Sequence, residues 1–403
     1  HSTGTIVMKR GPMGCVVFPG AIPDDIEDGI KGPGFPVEVY NVLGAGDAFM
    51  SGYLRGWLRD EPVETCCAFA NAGGAFAVSR LLCSVEYPTF TEMQHFITKG
   101  AASRAVRHDA ALNHLHWSTT RDAMTSYPKA DHVYALAIDH RSQLEEIADK
   151  AGVSHERIKT FKRLAVDAAS RIAKGRDGFG MLLDGTYGRE ALFRAEDHKF
   201  WIGRPVELPG SRPLDFEGGG SLAAKLIEWP VNHIIKCLCF YHPDDTAEMK
   251  AAQERELLRL YDAARSLGRE LLVEIICGKH GPLNDDTSAR VMTRLYDLGI
   301  KPDWWKLEPQ KSAKAWDTIA AVIDANDPSC RGIVMLGLDA PADELKAAFR
   351  IGRHAKHVKG FAVGRTIFAD PAREWMAGKI DDATAVTQMA DRFAQLIAAW
   401  ESA

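Results

Sequence analysis

Within the stretch DWWKLEP, residues 303–309, a lysine and a glutamate interrupt an aromatic run. Side chains alternate along a strand, so Trp304, Lys306 and Glu308 share one face. A buried charge costs several kcal/mol unless it is paired or neutralised, so this face holds either a structural ion pair or a reactive amine. Further charged residues sit in or at the ends of other apolar runs: Asp139, Asp184, Glu207, Lys236 and Glu274. A lysine attacks a carbonyl as the neutral amine, and both burial and a second cation nearby favour that form. Lys306 beside Lys236 meets both conditions, and either could be the nucleophile if both point inward. The iminium so formed is an electron sink that lets an adjacent carbon–carbon bond break while a carboxylate shuttles protons, with Glu274 the natural shuttle and Glu308 a charge balancing the lysines.

Two other stretches suit anions. MLGLDAP offers backbone amides around Gly337, and VGRTIF places Arg365 beside Gly364. Near the start, NVLGAGDAFM is a glycine-rich turn opening into a helix, whose amides at Gly44, Ala45 and Gly46 can face an anion. Asp47 in its first turn could take a proton from a hydroxyl attacking a phosphoryl group. The glycines of DFEGGGSLAAKLIEW read as a flexible loop rather than a phosphate cradle. His140, His242 and His280 follow three of the apolar runs and could converge on zinc, the ligand set of a metal-dependent aldolase.

Positioning such residues requires strands ending at one face. HVYALAID, GFGMLLD, KFWIGRPVEL, HIIKCLCFY, ELLVEIIC, PDWWKLEP, RGIVMLGLD and VKGFAVGRTIF alternate with amphipathic helices such as DTAEMKAAQERELLRLYDAARSLG. Eight units over about 270 residues have the count and length of a (β/α)8 barrel, with a doubly wound open sheet as the alternative. In a barrel, chemistry gathers at the carboxyl ends of the strands, where these charges fall. The chain divides into a segment over 1–100, a polar linker over 101–130 with some helix, and the barrel over 131–403. The terminal TAVTQMADRFAQLIAAWESA reads as a helix closing the barrel, and Trp304 and Trp305 as packing rather than sugar stacking.

The 403 residues are 46% hydrophobic and 26% charged with a net charge of −5, a balance that offers no basic face to nucleic acid. No apolar run approaches the roughly 18 residues of a membrane span, and the eight cysteines show no metal-finger spacing. Cys66, Cys67, Cys237 and Cys239 lie in apolar segments and read as reduced core residues of a cytoplasmic protein.

The ordered motifs ALAIDHR, MLLDGTYG, IIKCLCFYHPDD, LLVEII, WWKLEP and AVGRTIF resemble the class I aldolase family that includes tagatose-1,6-bisphosphate aldolase. Closer still is the resemblance to aldolase modules fused to a sugar kinase in bacterial myo-inositol catabolism, over about 130 to 370. The resemblance implies that Lys306 is the Schiff-base lysine, Lys236 and Glu274 the active-site lysine and glutamate, Asp139 the strand-one aspartate and Arg365 the phosphate-binding arginine. It implies a phosphorylated keto-sugar acid as substrate, 5-dehydro-2-deoxygluconate 6-phosphate, and no cofactor or metal; Gly337, Gly364, Asp184 and Glu308, read from their places at the strand ends, are expected to line the site with Arg365.

The first hundred residues resemble the carboxyl-terminal third of ribokinase-like sugar kinases, which use ATP and magnesium. That resemblance implies Asp47 as base, the Gly44–Gly46 amides as anion hole and the helix around Asn71 as part of the nucleotide pocket. Such kinases carry their sugar-binding residues and lid earlier in the fold, so the expectation here is a truncated kinase part without activity, whose uncovered apolar faces favour a homo-oligomer. Two further readings stay open: a kinase with a scaffold barrel, and a non-catalytic phosphosugar-binding module.

Overall fold

The structure is a computed structural model that describes residues 4–124 and 131–403; the expected linker lies partly outside these, at 125–130. The chain forms two compact units, His1–Asp122 and Ala123–Ala403.

The first unit opens with an antiparallel sheet of β1 (Ile6–Lys9), β2 (Cys15–Phe18) and β3 (Ile30–Gly32) in the order β1-β2-β3. Residues GPM turn the first hairpin, with Lys9 opposite Cys15. Four helices follow: α1 (Ala45–Trp57), α2 (Val63–Ser79), α3 (Phe90–Lys99) and α4 (Ala110–Met124). The last of these occupies much of the polar stretch expected to be linker, and the unit boundary falls near its end. Gly52 brings α1 against the α2 backbone, where an added Cβ would collide with the Phe69 carbonyl, and Gly56 lies similarly against Cys66. The opposite side of this region leaves Val42, Leu43, Trp57 and Leu58 largely exposed.

The second unit is a closed barrel of parallel strands ordered β10-β11-β4-β5-β6-β7-β8-β9. In chain order its elements are β4 (Val133–Ala137), α5 (Ser142–Ala151), α6 (Glu156–Ala173), β5 (Phe179–Leu182), α7 (Arg189–Glu196), β6 (Trp201–Pro205), α8 (Leu222–Ile227) and β7 (Ile234–Phe240). Then come α9 (Ala247–Ser266), β8 (Leu271–Ile276), α10 (Thr287–Asp297), β9 (Trp304–Leu307), α11 (Ala313–Asn326), β10 (Gly332–Leu336), α12 (Ala342–Gly352), β11 (Val358–Val363), α13 (Arg365–Met376) and α14 (Asp382–Glu401). All eight expected strands are present, so this is a (β/α)8 barrel rather than an open sheet. The last differs in extent: it stops at Val363, and Arg365 already begins a helix capped by Gly364.

Inward-facing Ala135, Leu182, Trp201, Ile234, Leu272, Trp304, Val334 and Ala362 fill the barrel interior. Trp201 and Trp304 meet edge to face at 5.4 Å, and the Trp304 indole N–H donates to Glu270 at 3.0 Å. Trp305 points the other way into the helical layer, donating to the Tyr296 hydroxyl at 2.9 Å. Both tryptophans are therefore packing residues. Outside the strands, α14 contributes Met389, Phe393, Leu396 and Trp400 to the main core, closing the barrel flank.

Replacing Gly52 by valine should force α1 away from α2 and cost about 1–3 kcal/mol, the usual penalty of overpacking. Hydrogen exchange at the α1 and α2 amides should accelerate while the barrel amides stay protected; unchanged exchange would remove the steric argument.

Candidate active site

Strand register sets the centre of the site. Glu274 on β8 pairs with Lys306 on β9, and Lys236 lies on the neighbouring strand β7, one step deeper. The Lys306 ammonium stands 2.9 Å from Glu274 Oε1, while Glu274 Oε2 stands 2.9 Å from the Lys236 ammonium. One carboxylate thus bridges two lysines. Lys236 also pairs with Asp139 at 3.1 Å and donates to Glu207 Oε1 at 2.9 Å. Lys236, Lys306 and Glu274 are 3%, 5% and 5% exposed, so these pairs sit largely out of water, where charge interactions are strong.

The electrostatics differ from the sequence expectation in one respect. Lys236 was expected to act on Lys306 as a bare second cation, but three carboxylates surround it. Burial opposes its charge, yet Asp139, Glu207 and Glu274 together hold it well above the ordinary lysine value. Burial likewise opposes the charges of Glu274 and Asp139, but the lysines outweigh it and keep both carboxyls below their ordinary values. Lys236 is accordingly fixed as an ammonium. Among the described residues Lys306 has a single carboxylate partner, Glu274.

Glu308 does not balance the lysines. Its carboxylate accepts from the Cys277 and Gly278 amides at 2.7 and 2.9 Å, and burial raises it above the ordinary carboxylate value. Its place just past the end of β9 brings it to the loop that follows the neighbouring strand β8. Asp184 is also committed elsewhere: fully buried, it pairs with Lys162 and accepts from the Tyr187 amide at 2.8 Å. The carboxylates of both residues are thus engaged by amides or by Lys162 in this structure.

Lys162, on α6, was not anticipated. Its ammonium donates to the carbonyls of Ile138 and His140 at 2.6 and 2.8 Å as well as to Asp184. Both carbonyls flank Asp139, so this buried lysine fixes the loop that presents Asp139 to Lys236. Arg141 was missed as well; it reaches Glu217 at 2.8 Å and Glu207 at 3.5 Å.

The anion end lies beyond β10 and β11. Arg365 opens α13 and pairs with Asp339 at 3.1 Å. Leu338 and Asp339 both hold positive φ, 49° and 63°, a sparsely populated backbone state for such residues. Gly337 is buried against Val363, and a Cβ on Gly364 would meet the His140 ring at 2.7 Å. The helix N-terminus and Arg365 provide amides and a cation where a phosphate could sit, once Asp339 yields the guanidinium.

The three histidines do not form a ligand set. His242 turns its Nε2 to the Pro282 carbonyl and its Nδ1 to the Asp244 amide, both at 3.2 Å. His280 is exposed beside Phe240, and burial pushes His140 down to about 4. Among the described residues no group of three His, Cys, Asp or Glu is arranged to hold a metal ion.

In the first unit, Gly44 holds a left-handed φ of 78° and caps α1, so Ala45, Gly46 and the exposed Asp47 form its first turn as expected from the motif. The Tyr87 hydroxyl braces this turn, donating to the Gly44 carbonyl at 2.7 Å. Asn71 is elsewhere. It is buried between α2 and the sheet, its amide donating to the Cys67 carbonyl at 2.9 Å and meeting Cys15 Sγ at 3.2 Å. Those bonds tie its amide to the sheet and to its own helix. All eight cysteines are free thiols, six of them buried, and no described helix is long and apolar enough to cross a membrane.

Fold and site together define a (β/α)8 protein with a lysine–carboxylate cluster at the carboxyl ends of its strands. The chain belongs to the family described as an uncharacterized protein conserved in bacteria (DUF2090), which matches residues 92–403. Residues 1–89 match the pfkB family of carbohydrate kinases. An ATP-dependent ribose-1-phosphate kinase of Halopiger xanaduensis is 46% identical over 48 residues, 12% of this chain and 16% of that protein. The 5-dehydro-2-deoxygluconokinase of Geobacillus kaustophilus is 24% identical over 107 residues, 27% of this chain and 30% of that one. The chain therefore spans less than a third of these curated relatives. Among solved structures, the fructose-bisphosphate aldolase of Plasmodium falciparum aligns with a TM-score of 0.51 at 15% identity, covering 73% of this chain and 95% of that one. That likeness is one of fold.

The depressed carboxyls imply a pH signature. A carboxylate whose folded value lies below its unfolded one gives stability that is complete above about pH 4 and lost as pH falls through the folded value. Lys236, raised on folding, gives stability that is complete below about pH 10 and lost only at higher pH. Glu274→Gln should cost about 3–5 kcal/mol at neutral pH, because it strips a partner from two buried ammoniums. The gap from the parent, measured as urea midpoints, should shrink as pH falls below about 4, where the parent's own carboxyls begin to protonate. A gap unchanged down to acid unfolding would show that the cluster does not titrate as described.

Proposed function

We propose that the barrel is a Schiff-base aldolase acting on a phosphorylated keto-sugar acid, 5-dehydro-2-deoxygluconate 6-phosphate being the substrate that suits the sequence resemblance. The observation that carries this reading is the single carboxylate of Glu274 shared between Lys236, which Asp139 and Glu207 also hold, and Lys306. Lys306 gives its proton to Glu274, and the neutral amine adds to the substrate ketone. Glu274 returns the proton to the carbinolamine oxygen, which leaves as water, and the iminium remains.

Carbon–carbon cleavage follows one bond further along. A carboxylate of the cluster takes the proton of the hydroxyl on the carbon β to the imine, that C–O becomes a carbonyl, and the bond's electron pair moves into the iminium to give an enamine. Malonate semialdehyde departs. The enamine carbon regains a proton from the same carboxyl, and water hydrolyses the imine to release dihydroxyacetone phosphate and restore Lys306. Lys236 stays charged throughout, stabilising the negative charge that develops on substrate oxygens. Arg365 and the α13 amides hold the phosphate, and no cofactor is needed for any step.

For the first unit, the pfkB match and the Gly44–Asp47 turn support descent from an ATP- and magnesium-dependent sugar kinase. We read its exposed Val42, Leu43, Trp57 and Leu58 as a surface on which copies of the chain could pair. The cytoplasm suits eight free thiols.

Borohydride added during turnover should fix the dihydroxyacetone phosphate fragment to the peptide carrying Lys306. Label on Lys236 instead would exchange the roles of the two lysines, and no label with any keto-sugar phosphate would overturn the aldolase reading. Lys306→Ala should lower kcat by about a thousandfold or more, as loss of a covalent nucleophile does, and cleavage by the parent should survive a chelator.

Arg365→Ala should act differently. It should raise KM for the phosphorylated substrate by about tenfold or more, the loss of a charge-assisted contact, while borohydride still labels Lys306. An unchanged KM would place the phosphate elsewhere.

A further inference from the structure

Arg141 follows Asp139 by two residues and is 7% exposed at the mouth of the barrel. One of its terminal nitrogens lies 2.8 Å from Glu217 Oε1, and the other lies 3.5 Å from the Glu207 oxygen that also accepts from Lys236. Its guanidinium therefore borders directly on the lysine cluster. Its Nε is buried without a hydrogen-bond partner, so the fork is incompletely used.

Glu217 is an odd partner for it. The glutamate stands on the loop after β6, whose root is pinned by an antiparallel bridge between Glu207 and Phe216 and by the Glu217 amide donating to the Val206 carbonyl at 3.0 Å. Beyond it, Gly218, Gly219 and Gly220 all take positive φ, at 81°, 57° and 69°, and are exposed. Three consecutive glycines in that region cost little to rearrange, so the carboxylate sits at the edge of a segment built to move. Lys225 adds a second cation, donating to the Glu217 carbonyl at 2.6 Å. Burial raises Glu217 above the ordinary carboxylate value despite both cations, so its hold on the site is weakened by its own desolvation.

We propose that Arg141 is the subsite for the terminal carboxylate of the substrate, and that Glu217 occupies that subsite in the free enzyme and withdraws on the Gly218–Gly220 hinge when substrate binds. The assignment rests on the aldolase reading and adds the feature that selects sugar acids. Arg141 follows β4, the neighbour of β11 with Arg365, but its guanidinium reaches across to Glu207 just past β6, and the order β6-β7-β8-β9-β10-β11 places the lysine strands β7 and β9 between Glu207 and Arg365. A substrate with a phosphate at one end and a carboxylate at the other then has one productive orientation. A neutral keto-sugar phosphate would have to leave Arg141 with Glu217 and gain nothing from it.

The test is calorimetric titration of the full chain with 3-hydroxypropanoate, which carries the carboxylate but has no ketone for Lys306 and no phosphate for Arg365. Glu217→Gln should bind it about tenfold more tightly than the parent, because a competing carboxylate is removed, and Arg141→Gln should bind it about tenfold more weakly or not detectably. Arg141→Lys should restore part of the affinity. Equal affinity in the parent and Arg141→Gln, or no gain in Glu217→Gln, would overturn the proposal. The Glu217 variant carries a loop substitution and keeps the test decisive even if the Arg141 variants fail to fold. The readout needs no turnover: a failed borohydride trap with intact binding would remove the aldolase and leave the carboxylate subsite, and the reverse result would remove the subsite alone.

Discussion

A carboxylate held between two ammonium groups, out of water, is the interaction around which the barrel is organised. Glu274 faces both Lys236 and Lys306 at 2.9 Å, and the two lysines outweigh the burial that opposes its charge. Such a cluster cannot be tuned one member at a time. Adding Asp139 and Glu207 gives three carboxylates to two lysines, and both extra carboxylates fall on Lys236. The consequence is division of labour between two chemically identical side chains. One is surrounded by three carboxylates; the other has one such partner among the described residues.

The strands make this possible through register and an apolar floor. Glu274 and Lys306 are paired residues on adjacent parallel strands, so their side chains rise on the same side at one level. Beneath them Leu272, Trp304 and Val334 fill the interior and keep water from reaching the pairs from below. The second layer of support comes from outside the barrel axis, where Lys162 clamps the carbonyls on either side of Asp139. Placing a charge there is costly, and burial does pull Lys162 below its ordinary value against the pull of Asp184. The arrangement holds because three oxygens receive its three hydrogens.

Much of this was legible in the residues themselves. Eight apolar runs with charges at their carboxyl ends specify a parallel barrel and the face where its chemistry lies, and alternation puts Lys306 on the inner face with Trp304. The parts that escaped did so for particular reasons. Glu308 obeys the same alternation but lies past the strand, where the backbone turns away and its natural partners are amides. Lys162 hides in a helix rich in lysine and arginine, although Ile158, Ala165, Val166 and Ala169 at three- and four-residue spacing mark its position as part of the buried face. Arg141 shares the parity of Asp139 and could have been read as inward by the same rule. Asn71 was assigned by resemblance, and sequence order alone carries no information about which face of α2 the sheet covers.

Polarity along the barrel rim follows from where the arginines fall in the strand order. On the proposed aldolase reading, a keto-sugar phosphate would bring its ketone to β9, where Lys306 is, and its phosphate to the loop after β11. Those two constraints lay the remaining carbons across the mouth toward β4, β6 and β7, the strands that supply Asp139, Glu207 and Lys236. Three carboxylates would repel an acidic substrate approaching along that path unless a cation met its far end. Arg141, already shared between Glu207 and Glu217, is the cation positioned there, and the carboxylate that now covers it stands on a glycine hinge. On that proposal, specificity for an acid would arise from exchange of one carboxylate for another at constant charge, which costs less than uncovering a buried guanidinium.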